Sequence, residues 1–301
     1  MIFLYHCPQM KELAERIARI RPDVLPGRID WSSFRDGYPN LKILDAGAAR
    51  NRDIVFLASF DRPSEIFKQI SVIYEIPRLV VRSFKILLPY YPTGTMERVE
   101  QEGEIATAFT LARMLSIIPH SASGPSQIVI YDIHALQERF YFSDAVIPRL
   151  ESAIPLIRAR LRHLENIAIA FPDEGALKRF SRMFPEYPLV ICHKIREGNQ
   201  RIVSIREGNP SGRHVVIIDD LVMTGGTLLE TRKVLEENGA AKVSAYVTHG
   251  VFPDESWKKF SDAGFFRFWI TDSCPRTAEA VRGKSPFEVL SLDQAIADIL
   301  V

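Results

Sequence analysis

The chain of 301 residues has three cysteines, Cys7, Cys192 and Cys274, and they lie far apart. Without a Cys-x-x-Cys pair, a zinc site built on thiolates and a disulfide framework are both disfavoured. Reduced thiols fit a cytoplasmic location. Neither charge dominates, since 38 Lys and Arg against 37 Asp and Glu leave a formal net charge of +1. A nucleic-acid partner held by bulk charge is therefore not expected. No apolar run reaches the roughly 18 residues of a membrane span, so no membrane partner is expected. Met1 to Tyr5 lacks the basic region and long apolar core of a signal peptide. Low-complexity segments are also missing, and a hydrophobic fraction of 47% argues against general disorder.

What is present is an alternation of apolar runs and helix-periodic segments. Strands are expected at Ile54–Ala58, Phe84–Pro89, Gln127–Tyr131, Ile167–Phe171, Leu189–Cys192, Val215–Ile218 and Val243–Val247. Helices are expected at Ile66–Ile76, Ile105–Leu115, Gly175–Phe184, Leu228–Glu237 and Leu292–Leu300. Strands alternating with helices predict an α/β fold with mainly parallel sheets flanked by helices. At about 150 residues per domain, the length predicts two. The series runs twice, with a break near Pro148–Ile154. The expected domains are 1–147 and 148–286, with a C-terminal helix, about 287–301, packing back on the first. Arg-Glu-Gly-Asn occurs at both 196–199 and 206–209 and reads as two turns, of a hairpin or otherwise.

The most informative segment runs from Val215 to Thr227. A β-branched strand leads into Asp219 and Asp220, then Met223-Thr224-Gly225-Gly226-Thr227, and a helix begins. Glycines let successive backbone N–H groups converge, and a helix start adds the positive end of a dipole. Thr224 and Thr227 add hydroxyl donors for a phosphate. The carboxylates sit at the carboxyl end of a strand, where open α/β sheets bind ligands, and suit sugar hydroxyls or a bridging cation. Neither the G-x-x-x-x-G-K-[ST] nor the G-x-G-x-x-G nucleotide motif is present. The segment resembles the phosphoribosyl loop of the type I phosphoribosyltransferases.

Three further segments narrow the resemblance. Asp132-Ile133-His134-Ala135 follows a strand, Pro172-Asp173-Glu174-Gly175 follows another, and Lys194-Ile195-Arg196 lies in an extended stretch. On their own, His134 reads as structural and Lys194 and Arg196 as solvated edge charges, whereas for Asp173 a functional role is preferred over that of a helix cap alone. Together they are similar to the D-x-H-A, P-D-x-G and K-x-R motifs of ribose-phosphate pyrophosphokinases, and most to the plant-type class II enzymes. The likeness extends from Trp31–Gly37 through Gly103–Arg113 and Ser244–Gly250 to Phe287–Leu292.

The resemblance implies two type I phosphoribosyltransferase-like domains and a reaction between ribose-5-phosphate and Mg-ATP, or another nucleoside triphosphate. It implies Lys194 and Arg196 as catalytic residues. Asp219, Asp220 and Met223, Thr224, Gly225, Gly226 and Thr227 would bind ribose-5-phosphate. Asp132, His134 and Asp173 would serve Mg²⁺, with His134 also on the nucleotide. Asp36, Gly37 and Tyr38, contributed by a neighbouring copy in a homo-oligomer, would bind nucleotide together with Thr95, Met96, Glu97 and Arg98. Thr95-Met96-Glu97-Arg98 stands where class I enzymes carry Arg-Gln-Asp-Arg, and Met223 where they carry Asp. Both departures fit phosphate-independent class II behaviour. A salvage phosphoribosyltransferase would not need a second full α/β domain. A non-catalytic synthetase-associated protein would have altered catalytic segments, whereas Lys194, Arg196 and His134 are intact.

Overall fold

The computed structural model describes residues 1–97, 99–197 and 200–300, with backbone alone at 194–197 and 200–202. The chain divides into two compact units, Met1–Ser152 with Ser291–Val301, and Ala153–Leu290.

The first unit comprises, in order, β1 (Ile2–His6), α1 (Lys11–Ile20), β2 (Val24–Pro26), β3 (Ile29–Ser33), β4 (Pro39–Ile43), α2 (Ala46–Ala49), β5 (Asp53–Leu57), α3 (Pro63–Arg78), β6 (Ser83–Leu87), α4 (Thr107–Leu115), β7 (Ser126–Tyr131) and β8 (Val146–Glu151). Six strands form one parallel sheet in the order β2-β1-β5-β6-β7-β8. β3 and β4 form a separate antiparallel hairpin. Pro148 does not end the domain. It pairs opposite Ile128 within β8, an edge strand, where proline is tolerated. Residues 148–152 therefore belong to this unit.

The second unit comprises α5 (Ile154–Leu161), β9 (Ile167–Phe171), α6 (Glu174–Phe180), β10 (Leu189–Glu197), β11 (Gln200–Glu207), β12 (His214–Val222), α7 (Gly226–Glu237), β13 (Lys242–Gly250), β14 (Phe268–Thr271), α8 (Pro275–Val281) and β15 (Phe287–Leu290). The sheet order is β11-β10-β9-β12-β13-β14-β15, parallel except for β10 and β11. Residues 287–290 thus add the edge strand of this sheet instead of packing on the first unit. The last helix, α9 (Asp293–Ile299), belongs to the first unit. Arg21 Nη1 donates to Ala297 O at 2.9 Å and Lys85 Nζ to Ile299 O at 2.9 Å, while Arg16 Nε lies 3.3 Å from Asp293 Oδ2.

Period-two alternation gives the second sheet two apolar faces. Val215 and Ile217 of β12 join Ala168, Ala170, Leu228, Leu235 and Phe260 on one face. Val216 and Ile218 join Ile169, Phe171, Ile157 and Phe180 on the other. Burial on both faces explains why these strands read as continuous apolar runs. The polar side chains of β12 are His214 at its start and Asp219 and Asp220 towards its carboxyl end.

His214 marks the amino end. It is buried, and its Nε2 lies 2.8 Å from Ser244 Oγ, which also accepts from Arg267 N at 3.1 Å. The hydroxyl has one proton and a second lone pair, so this bond serves a neutral imidazole in either tautomer. Burial, followed by the charges of Lys242 and Arg267, pushes its pKa down to about 4. An unfolded histidine takes a proton near pH 6.5 and this one does not, so folding stability should fall as pH drops from about 6.5 towards 4. The loss is about 3 kcal/mol at most. Urea midpoints measured from pH 7.5 to 4 should show this slope in the wild type and a shallower one in His214→Gln. Equal slopes would remove His214 as its source.

Candidate active site

The apolar run of β12 is interrupted at Asp219 and Asp220, before Val222 returns to the core. Asp219 Oδ1 accepts from Asp220 N at 2.9 Å, and Asp220 Oδ1 accepts from Leu221 N at 2.9 Å. Asp220 shares the parity of Val216 and Ile218, which turns it towards the α6 face. There Arg179 Nη1 lies 3.5 Å from its Oδ2, both side chains being largely buried. The carboxyl of Asp219 is held well above the usual carboxylate range, first by burial and then by the charges of Asp220 and Asp173. This crowding of acids favours hydroxyl donors or a cation and disfavours a bare anion.

The loop after β12 is fixed by close approach. Gly225 has φ +81° and ψ 3°. A Cβ on it would lie 2.1 Å from Phe260 Cζ, whereas one on Gly226 would meet nothing within 4 Å. The first glycine is therefore required by the fold, and the second leaves the backbone open to a ligand. Ser256 Oγ donates to Met223 O at 3.0 Å, and Val251 N donates to Val222 O at 3.1 Å, which anchors the loop on its far side. α7 starts at Gly226, so its first N–H groups face out of the helix beside Thr224 and Thr227. Asp173 caps α6, its Oδ1 accepting from Ala176 N at 3.0 Å. The capping role does not exhaust the residue, because its charge also acts on Asp219.

Lys194 and Arg196 fall on β10, a strand that runs beyond the expected Cys192 and pairs with β11 opposite Val203 and Arg201. They occupy a β-hairpin in place of a loop. Their side chains lie outside the described residues, as do Arg98, Gly198 and Asn199. Gly208, with φ +93°, closes the foot of the hairpin, and a Cβ there would stand 2.1 Å from Leu189 O. Arg206 Nη1 also lies 3.2 Å from Glu174 Oε1.

In the first unit, Thr95, Met96, Glu97 and His134 line one cleft of about 540 Å³ with Glu100, Glu104 and Ile105. The last three were not assigned to a site from the sequence: Glu100 and Glu104 lie in a loop without periodicity, and Ile105 reads as the start of a helix that begins at Thr107. Glu104 Oε2 accepts from Glu100 N at 2.7 Å and from Gln101 N at 3.2 Å, which folds that loop back on itself. Asp132 is buried and accepts from Ser152 Oγ at 2.7 Å. Glu138, fully buried, accepts from Ala135 N at 3.0 Å, fixing the backbone next to His134. Asp36, Gly37 and Tyr38 form the tip of the β3–β4 hairpin, with Gly37 at φ +88° and Tyr38 67% exposed. Asp36 Oδ1 accepts from Tyr38 N at 3.1 Å. Among the described residues, no group of three His, Cys, Asp or Glu could hold a metal ion.

The parallel sheets and the carboxylate-led loop at a helix start define a protein of the phosphoribosyltransferase fold. A family model of the phosphoribosyl transferase domain matches residues 140–267. The crystal structure of phosphoribosylpyrophosphate synthetase from Mycobacterium smegmatis shares the fold, with TM-score 0.83 at 23% identity over 99% of this chain and 96% of that one. Ribose-phosphate pyrophosphokinase 4 of Oryza sativa subsp. japonica is 56% identical over 99% of this chain and 95% of its own. The Arabidopsis thaliana protein of the same name is 54% identical over 99% and 91%. A chloroplastic rice ribose-phosphate pyrophosphokinase 3 is 56% identical over 99% of this chain and 76% of its own. The chain belongs to the ribose-phosphate pyrophosphokinases, which are diphosphotransferases, and resembles their plant members. No helix among the described residues is long and apolar enough to cross a membrane.

Gly225→Ala should cost about 1–3 kcal/mol, because it combines a left-handed backbone with a clash against Phe260. Gly226→Ala, facing open space, should leave stability within about 1 kcal/mol. Denaturant titration of both variants checks the contrast.

Proposed function

We propose that this chain transfers the β,γ-pyrophosphoryl group of Mg-ATP to the C1 hydroxyl of ribose-5-phosphate without needing inorganic phosphate. The C1 hydroxyl gives up its proton to solvent as its oxygen forms a bond to the β-phosphorus, the bond from that phosphorus to the α-phosphate oxygen breaks, and AMP leaves. The observation that carries this reading is the Gly225 cradle following Asp219 and Asp220. Backbone N–H groups of the Met223–Thr227 loop and the hydroxyls of Thr224 and Thr227 hold the 5-phosphate. Asp219 and Asp220 accept the ribose hydroxyls, and the Arg179 pairing keeps Asp220 in place.

The cleft of Thr95, Met96, Glu97 and His134 takes the nucleotide, with Arg98 beside it in sequence. The exposed Asp36–Tyr38 turn is supplied by a neighbouring copy in a homo-oligomer. His134 meets the triphosphate. Lys194 and Arg196 neutralise charge that spreads over the transferred group, the main task in chemistry governed by positioning.

Magnesium enters with the triphosphate and, when bound, offsets charge on the phosphate oxygens. It keeps waters and phosphate ligands and needs only one or two carboxylates, so a donor set without a three-residue cluster fits it. Asp173 is the carboxylate we assign to it. Imidazole matches a hard cation poorly, so His134 is better placed on the phosphates. Asp132, buried on Ser152, supports the His134 loop. Three buried free thiols support a reducing compartment such as the cytoplasm.

Ribose-5-phosphate and Mg-ATP incubated without phosphate should yield AMP and phosphoribosyl pyrophosphate in equal amounts. Lys194→Ala should lower kcat by about 100-fold or more, the scale of losing one transition-state charge contact, with the circular dichroism spectrum unchanged. Undiminished turnover in that variant would sink the catalytic assignment. A strict phosphate requirement would sink the class II one.

A further inference from the structure

Among the described residues, two β-branched ones hold positive φ, Val80 at +57° and Thr93 at +64°. That conformation is a true outlier for such side chains. Val80 follows the end of α3, and its N donates to Pro77 O at 3.1 Å. Left-handed residues commonly terminate helices, so its conformation has an ordinary cause. Thr93 ends no helix. It follows the loop from β6 and precedes a short 3-10 turn, Gly94–Met96, closed by Met96 N donating to Thr93 O at 2.7 Å.

Two observations place this residue next to the nucleotide cleft, directly behind its lining, and a third concerns its hydroxyl. Thr95 and Met96, in the same turn, line it. A Cβ on Gly94 would stand 3.2 Å from the Cβ of His134, which also lines it. Thr93 Oγ1 is buried and has no hydrogen-bond partner among the described residues. A buried hydroxyl without a partner costs free energy, and so does the backbone that carries it. Glycine or asparagine would occupy this conformation at lower cost. The position therefore carries two separate penalties, and a hydroxyl needed by a ligand accounts for both.

We propose that Thr93 is a substrate-contacting residue whose hydroxyl donates to a phosphate oxygen of the nucleotide bound in the cleft of Thr95, Met96 and His134. The inference rests on the nucleotide half of the function proposed above and adds a residue to it. A phosphate oxygen suits an O–H donor, and Thr93 would join Thr95 as one in a cleft otherwise rich in carboxylate acceptors. Among the lining residues, Glu97, Glu100 and Glu104 offer no proton to a phosphate when ionised.

The test measures binding of magnesium with α,β-methylene-ATP to the full chain by titration calorimetry, alongside ribose-5-phosphate binding. Thr93→Val removes the hydroxyl and keeps the shape, whereas Thr93→Ser keeps the hydroxyl. Thr93→Val should weaken nucleotide binding about tenfold or more, the scale of a hydrogen bond to a charged group. Thr93→Ser should stay within about threefold of wild type, and ribose-5-phosphate binding should be unchanged in both. Nucleotide binding by Thr93→Val within about twofold of wild type would overturn the proposal, as would equal losses for both ligands. Should Thr93→Val fail to fold, Thr93→Gly relieves the backbone and takes its place. Weaker nucleotide binding by that variant supports the contact, and unchanged binding overturns it. A wild-type chain that does not bind the analogue would instead refute the nucleotide site itself, separating that failure from a failure of Thr93.

Discussion

The packing of Gly225 against Phe260 constrains the rest of the second unit's site. No side chain fits between that backbone and the ring, so the chain must turn there in a left-handed conformation. The turn brings β12 directly into α7 and leaves N–H groups of the helix start facing outward. Phe260 is itself fully buried against Phe252, Phe265 and Phe268, so the ring is held by the core and cannot yield. The geometry of the loop is thus inherited from an aromatic cluster that would never touch a ligand. Ser256 continues this logic, since its hydroxyl holds Met223 O from within the same segment that carries Phe260.

Electrostatics at the end of β12 follow from alternation. One residue later in the strand is one face over, so Asp219 and Asp220 cannot share an environment. Asp220 finds Arg179 on the α6 side and is paired there. Asp219 has no such cation among its principal influences, which are burial and two neighbouring carboxylates. Adjacent acids therefore differ in kind. One is a fixed, charge-balanced support, and the other is poised to accept whatever relieves it. That division favours a neutral polyol or a metal–phosphate complex over an unaccompanied anion, and a sugar phosphate meets the condition with its hydroxyls on one side and its phosphate on the cradle.

Much of this was legible because it is local in sequence. A strand, two acids, a hydroxyl–glycine–glycine–hydroxyl run and a helix occupy consecutive positions, and each has a fixed geometric consequence. The Asp220–Arg179 pair was not legible, since it depends on strand parity and on where α6 lies. Glu100 and Glu104 were missed for a related reason, because their loop follows neither the helical nor the strand period, and Ile105 because it continues the helical period of a helix that starts only at Thr107. The boundaries went astray at edge strands. Pro148 reads as a break, but β8 has a free edge where a missing N–H costs little. Phe287–Leu290 is too short to declare which sheet it joins. The extension of β10 past Cys192 was hidden because its outer half is charged, as an edge hairpin is expected to be.

The two loops that follow β12 and β6 reach nearly the same backbone conformation by different means. Gly225 stands at φ +81°, ψ 3°, and Thr93 at φ +64°, ψ 5°. In the first case the fold demands glycine, because a ring occupies the space a side chain would need. In the second no comparable obstruction exists, and a strained threonine stands where glycine would be cheaper. Packing explains the first residue completely and leaves the second unexplained. When a chain keeps the costlier side chain at a left-handed position, the reason has to lie in what that side chain adds, and a threonine adds a methyl group and a hydroxyl. With the hydroxyl buried and without a partner among the described residues, the remaining economical reason is a partner that arrives with the substrate.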